Sequence, residues 1–258
     1  VTRGLTTEDL ESGGWRTPFI IGLLIGPVGF YIRRNLEETS EFQEKRAKDP
    51  RTILPEVFVS NWRNILLGVG ILAGAASANY TLIVYLPTYA VSMLKFQLSV
   101  VLPTTMLSGL ILAVGSLYFG ALSDRIGRKP VMMTAIVALL LTVYPAFFVL
   151  NANPTLGVFV LVQVWFAFLL SIYFGPFSVV LADLFPVHIR ATGLGVTYNM
   201  GVLLFGGFAP MIVVWLIART GSPLAPSFYI MFGEAIALLA CLYLPGRFTC
   251  GASRTIQS

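Results

Sequence analysis

Long apolar runs alternate with short polar segments along the whole chain. Seven of these runs approach the roughly 20 residues that a transmembrane helix needs. Their approximate bounds are 15–32, 65–94, 98–122, 131–150, 156–181, 194–218 and 227–244. The first run is the least regular because it is short and contains two prolines and three glycines. The pattern predicts an all-α membrane protein with about seven transmembrane helices.

The polar segments divide the chain unequally. The longest, residues 33–63, is rich in charges of both signs and is expected to be a cytoplasmic inter-domain loop. Six apolar runs joined by short loops follow it, a pattern typical of one packed helical bundle. The predicted organisation is an extracytoplasmic segment at 1–14, a helix at 15–32, the loop at 33–63, a six-helix bundle at 64–246 and a cytoplasmic tail at 247–258.

Composition and charge support insertion in a membrane. Of the 258 residues, 56% are hydrophobic and 11% are charged, whereas soluble proteins average about 25% charged residues. The net charge of +5 comes from Lys and Arg in the gaps between apolar runs, so it indicates orientation and no nucleic-acid partner. Thirteen of the 17 basic residues fall on one side. The positive-inside rule then predicts that the N-terminus is outside and the C-terminus is cytoplasmic. The expected location is the bacterial inner membrane.

No pattern for a cofactor, a metal or enzymatic chemistry is visible. The two cysteines, Cys241 and Cys250, have no metal-site spacing. A phosphate-binding glycine loop and a nucleophile with its base are also missing. The first fourteen residues are polar, so no signal peptide is expected. We expect a protein that is not an enzyme and needs neither cofactor nor metal.

One polar segment stands out between two apolar runs. Residues 120–129, here called the hinge, read Gly-Ala-Leu-Ser-Asp-Arg-Ile-Gly-Arg-Lys. Gly120 should let two helices approach closely, and Gly127 suits a turn that other residues resist. Asp124 could cap a helix or pair with cations such as Arg125 and Arg190. From the residues alone, the hinge could also be a charged loop that only fixes topology.

The hinge resembles the signature loop of the major facilitator superfamily, Gly-x-Leu-Ala/Ser-Asp-Arg-x-Gly-Arg-Arg/Lys. The matching positions are Gly120, Leu122, Ser123, Asp124, Arg125, Gly127, Arg128 and Lys129. Residues 14–19, 182–193 and 205–210 are similar to motifs of its metabolite:proton symporters, the branch with citrate, alpha-ketoglutarate and proline-betaine carriers. The resemblance implies helix 6 and the whole C-terminal six-helix bundle of such a transporter.

This resemblance implies a function and a partner. The expected function is secondary transport by alternating access, with proton-coupled symport of a small organic acid or zwitterion. The hinge, with Asp183 and Arg190, would form a cytoplasmic gating network. The expected partners are the substrate, protons, the lipid bilayer and the missing N-terminal half of the same transporter. Without the resemblance, Asp183 and Arg190 could equally be interfacial charges.

Polar residues deep in two apolar runs are the candidate substrate site. They are Asn79, Tyr80, Gln163 and Tyr173, and the resemblance places them on helices 7 and 10, which line the central cavity. Alternatively, these side chains only bond or pack against neighbouring helices. A break or bend of the helix is expected at Gly175 and Pro176.

Glu234 is a candidate proton site because it is the only carboxylate well inside an apolar run. Against this role, the resemblance makes its span helix 12, a peripheral support. His188 is expected to be an ordinary surface residue.

Two alternatives to a transporter remain at this stage. Seven spans with an outside N-terminus also match a seven-helix receptor, although the long loop after the first span and the hinge argue against one. A truncated chain that does not transport but serves as a partner protein is the second alternative, because half of the cavity would be absent.

Overall fold

The computed structural model describes residues 16, 20, 22–23, 25–35 and 50–248. The chain divides into two compact units between Ala47 and Lys48. In the first unit, helix α1 spans Ile25–Asn35, so the predicted first span lies partly outside the described residues. Segments 1–14 and 36–49 and most of the predicted tail also lie outside them, and the predicted domain bounds stay a prediction.

The second unit begins with a short helix, α2 (Pro50–Pro55), and a π-helical turn, Glu56–Ser60. Six helices follow that are long and apolar enough to cross a membrane. They are α3 (Trp62–Ser92), α4 (Leu98–Ile126), α5 (Arg128–Ala152), α6 (Leu156–Asp183), α7 (Arg190–Thr220) and α8 (Ala225–Leu242). They confirm the prediction of an all-α membrane fold with six spans after the long loop.

Two of the six helices contain a π-helical turn that ends two or three residues before a proline. The turns are Tyr80–Tyr85 in α3 and Leu203–Gly207 in α7, and the prolines are Pro87 and Pro210. A proline ring clashes with the carbonyl four residues earlier, which falls inside the π-helical turn in both helices. In these two helices the crowded carbonyl lies in the wider turn, whereas α6 passes Pro176 without such a turn.

Helices α3 and α8 pack through small residues. A Cβ placed on Gly70 would lie 2.7 Å from the Cβ of Ala240, and one on Gly74 would lie 2.7 Å from the Cβ of Ala237. Small residues spaced four apart let helix backbones approach closely in a membrane, where packing replaces the hydrophobic effect as the driving force. We call this contact the α3–α8 seam.

Helices α4 and α6 approach even more closely. A Cβ on Gly175 would lie 2.7 Å from the backbone N of Gly120 and 2.8 Å from the carbonyl carbon of Phe119. The predicted close approach at Gly120 is confirmed. Of the predicted break or bend at Gly175 and Pro176, the break is wrong, because α6 runs unbroken through Pro176 to Asp183, and the bend stays a prediction.

A tyrosine joins three elements at the end of the bundle away from the hinge. The hydroxyl of Tyr89, at the end of α3, lies 2.7 Å from Oδ1 of Asn151 and 3.0 Å from the carbonyl O of Pro223. Its ring packs edge-on against Phe147, with ring centroids 5.9 Å apart. Neutral hydrogen bonds therefore tie α3, α5 and the segment before α8 together.

The α4–α6 crossing predicts a steric penalty at one glycine. Gly175→Ala should reduce the free energy of unfolding by about 1–3 kcal/mol, because the new methyl group meets backbone atoms that cannot move aside. Gly109→Ala in α4 is the matched control, since nothing lies within 4 Å of a Cβ there. Thermal unfolding in detergent measures both variants, and equal losses would contradict the crossing.

Candidate gating face and substrate site

The hinge contains a single residue outside the helices. Helix α4 continues to Ile126 and α5 begins at Arg128, so only Gly127 lies between them. Its φ of 116° and ψ of 144° are confined to glycine by Cβ sterics, which confirms its predicted turn role. The two helices are longer than the apolar runs predicted at 98–122 and 131–150, because the polar residues between the runs extend α4 and α5 by about a turn each.

Asp183 is the centre of the ion pairs near the hinge. Its Oδ2 accepts a hydrogen bond from Nη1 of Arg128 at 2.5 Å, and its Oδ1 lies 3.6 Å from Nη2 of Arg190. Arg128 also approaches Asp124, at 3.4 Å between Nη2 and Oδ1. These four residues, here called the Asp183 network, bring the hinge and the loop between α6 and α7 together.

The pairing inside the network differs from the expected one. Asp124 pairs with Arg128, four residues along the chain and across Gly127, instead of Arg125 or Arg190. Arg125 is exposed. The Asp124 side chain is 56% exposed, against 33% for Asp183. Solvent weakens ion pairs at exposed positions. The ion pairs of Asp183 with the two arginines are therefore stronger than the pair of Asp124 with Arg128.

Lys129 binds the end of a third helix. Its Nζ donates to the carbonyl oxygens of Leu242 at 2.9 Å and Leu244 at 3.2 Å, at the C-terminus of α8. The last carbonyls of a helix lack partners and carry partial negative charge, so a cation there is favourable. Lys129 therefore connects the hinge to α8, a role that sequence reasoning missed.

The loop between α6 and α7 is held by packing as well as by charge. A Cβ on Gly193 would lie 2.7 Å from Cγ of Phe185, so the first turn of α7 lies directly against that ring. Helix α6 ends at Asp183, three residues before Pro186. The loop is therefore short and its second half is fixed by the contact between Gly193 and Phe185.

His188 has a partner that the sequence did not reveal. Its Nε2 lies 2.7 Å from Oε1 of Glu56, in the π-helical turn before α3. The expectation of an ordinary surface histidine is wrong. The partners lie 132 residues apart, and the only available signal was a carboxylate in the connector before the second apolar run.

The four predicted substrate residues separate into two groups. Gln163 and Tyr173 are buried and connect helices: Nε2 of Gln163 donates to Oγ1 of Thr105 at 3.2 Å, and the Tyr173 hydroxyl donates to the carbonyl O of Ile71 at 2.8 Å. These bonds agree with the alternative interpretation, in which the polar groups join neighbouring helices.

Asn79 and Tyr80 are only partly buried. They lie where α3 changes from α-helix to π-helical turn. The Tyr80 ring packs close to Gly206 in the π-helical turn of α7, since a Cβ there would lie 2.7 Å from its Cε2. Both turns meet at this contact. π-helical turns often occur at functional sites. Asn79 and Tyr80 are therefore better candidates for contact with a substrate than Gln163 and Tyr173.

A cavity of about 300 Å³ lies between α6 and α7. Its lining residues are Phe177, Ser178, Leu181, Leu194, Gly195, Tyr198 and Asn199. The four predicted substrate residues are not among them. The cavity lies within a few turns of Asp183 and Arg190, towards the hinge end of the bundle.

The fold and this charged face define a class of protein, namely a multi-pass α-helical membrane protein with a network of ion pairs at one end of its bundle. Residues 104–250 match the family model of the Major Facilitator Superfamily. The chain belongs to this superfamily, as the hinge motif predicted.

The chain is similar to curated transporters over most of its length. It is 34% identical to the ectoine/proline transporter ProP of Corynebacterium glutamicum, covering 91% of this chain and 49% of the relative. It is 32% identical to a citrate-proton symporter of Klebsiella pneumoniae, covering 93% and 54%. A citrate-proton symporter of Salmonella typhi is 34% identical, covering 95% and 56%. The chain therefore spans about half the length of these relatives and matches their C-terminal portion. Their names agree with the prediction of a transporter and not an enzyme.

Proposed function

We propose that this chain contributes the C-terminal half of a secondary transporter that works by alternating access. The transporter would take up a small organic acid or zwitterion together with protons, across a bacterial inner membrane. The N-terminal half of the same transporter would complete the cavity. The single observation that carries the proposal is the Asp183 network, because it joins the family's signature hinge to the loop between α6 and α7.

The network has the properties of a latch. Asp183 fixes Arg128 and Arg190 within the bundle, whereas Asp124 and Arg125 are exposed and accessible to a second half. Partly exposed ion pairs each contribute about 1 kcal/mol or less. They can therefore break and reform when two bundles rock against each other.

The substrate would bind near the middle of the bundle. Asn79 and Tyr80 are partly accessible and are proposed to contact it directly. Gln163 and Tyr173 would act indirectly, by holding α4, α6 and α3 in register through their bonds to Thr105 and Ile71. The names of the relatives, ectoine/proline transporter and citrate-proton symporter, support zwitterions and organic acids as substrates.

Transport in reconstituted vesicles tests the function. Adding proline, ectoine or citrate to de-energised vesicles that contain the complete transporter should alkalinise the external medium, because protons enter with the substrate. Radiolabelled uptake should rise with an inward proton gradient and collapse with a protonophore. Uptake without proton movement would favour sodium-coupled or facilitated transport. Absence of any uptake would favour a non-transporting partner protein.

The side of the membrane that the hinge faces can be tested separately. We propose that it faces the cytoplasm, because most Lys and Arg share that side. In the complete gene, a green fluorescent protein fused after Gly127 should fluoresce, and alkaline phosphatase fused there should be inactive. Fusions after Gly221, in the loop between α7 and α8, should show the opposite pattern. The reverse result at both sites would invert the topology.

Removing charge from the latch should slow transport. Asp124→Asn and Asp183→Asn are each expected to lower the initial uptake rate up to roughly fivefold, which corresponds to about 1 kcal/mol in the barrier. Glu56→Gln is the matched control, because this carboxylate pairs with His188 outside the network. Immunodetection in the membrane should show equal amounts of all three variants. Unchanged uptake in Asp124→Asn would contradict the latch.

A further inference from the structure

Glu234 lies inside the bundle, near the middle of α8. Its side chain is fully buried, and a Cβ on Gly74 of α3 would lie 2.8 Å from its Oε2. The carboxyl group therefore lies in the α3–α8 seam. This position changes the expectation from family resemblance, in which the helix was a peripheral support, because the acid points towards α3.

The carboxyl group has no bonding partner in the part of the chain that the structure describes. Both of its oxygens are buried without a hydrogen bond. The polar groups that face it from other helices are already engaged: the Tyr173 hydroxyl donates to Ile71, and the Ser77 hydroxyl donates to the carbonyl O of Gly74. Cys241 lies two turns along α8, and Lys129 is bound to the carbonyls at the end of that helix.

These surroundings favour the uncharged acid over the carboxylate. A buried carboxylate without a cation or hydrogen-bond donor is strongly disfavoured, whereas a protonated carboxyl group carries no charge. The closed seam therefore suits the proton-bound state. Release of the proton would leave a carboxylate that needs water or a cation, which can reach it only if α3 and α8 separate near Gly74.

Helix α3 connects the seam to the candidate substrate residues. Asn79 and Tyr80 follow Gly74 by five and six residues along α3, where the π-helical turn begins. A shift of α3 at Gly74 would move both side chains. Proton binding and substrate binding would then both change the equilibrium between two positions of α3. Coupling between two ligands requires such a shared equilibrium.

We propose that Glu234 is the proton-binding residue of the transporter, and that the α3–α8 seam closes when this residue is protonated. The proposal rests on the proposed proton-coupled symport. It assigns the coupling step to an acid outside the hinge and outside the candidate substrate residues.

Two variants of the complete transporter test the assignment. Glu234→Gln keeps the shape of the acid and cannot release a proton, and Glu234→Met is an apolar replacement of similar size that a dry seam should accept. Ser77→Ala is the matched control, because it lies in the same seam and its hydroxyl bonds only within its own helix. The probes are radiolabelled proline and citrate in proteoliposomes.

Accumulation and exchange are measured on each variant. Both Glu234 variants should lose proton-driven accumulation by roughly tenfold or more, yet exchange internal for external substrate within about twofold of wild type. Ser77→Ala should retain both activities. Exchange needs no net proton transfer, so this separation identifies coupling and excludes a general packing defect.

The outcomes against the proposal are distinct. Wild-type accumulation in either variant, with an unchanged pH profile, overturns the role of Glu234. Equal loss of exchange and accumulation in both variants also overturns it, because Glu234 would then be structural. A wild-type protein that exchanges substrate but never concentrates it under a proton gradient overturns the proposed function itself, and the assignment with it.

Discussion

Backbone contact between α4 and α6 determines where the charged groups of this protein meet. Gly120 and Gly175 lie against each other without side chains between them. Asp124 follows Gly120 by one turn, and Asp183 follows Gly175 by about two turns, so the ends of the two helices emerge side by side. The ion pair between Arg128 and Asp183 depends on that closeness, because its charged groups meet only when the helix ends converge.

The hinge face combines rigid and breakable contacts. Gly127 has a backbone conformation that other residues resist, and Gly193 lies directly against the ring of Phe185. The arginine and aspartate pairs, by contrast, are partly exposed to solvent and individually weak. The backbone of the hinge face is therefore fixed, while the ion pairs between its side chains can break and form again. In the proposed alternating-access cycle, this arrangement would let the ion pairs break while the backbone keeps the geometry in which they form again.

The sequence predicted the features that depend on one segment at a time. Helix lengths followed from hydropathy, and the roles of Gly120 and Gly127 followed from the steric freedom of glycine. Directions of side chains could not be predicted in the same way. Helix α6 is apolar on all sides, so its pattern does not show which face turns towards a neighbour, and Gln163 and Tyr173 were expected in a cavity.

Pairings across long separations were also invisible in the sequence. His188 and Glu56 meet only because α3 and the loop after α6 are adjacent in the fold. The burial of Glu234 in the α3–α8 seam likewise depends on Gly74 and Ala237 facing each other. Such contacts arise from helix packing, which a single sequence does not encode in any local pattern.

The two ends of the bundle differ in how they respond to salt. The bonds of Tyr89 to Asn151 and Pro223 join neutral groups, whereas the Asp183 network joins full charges. Dissolved ions screen charges over about 10 Å at 0.1 M and over shorter distances at higher concentration. A rise in ionic strength therefore loosens the hinge end and leaves the contacts of Tyr89 intact, so the salt content of one aqueous compartment acts selectively on one end of the molecule.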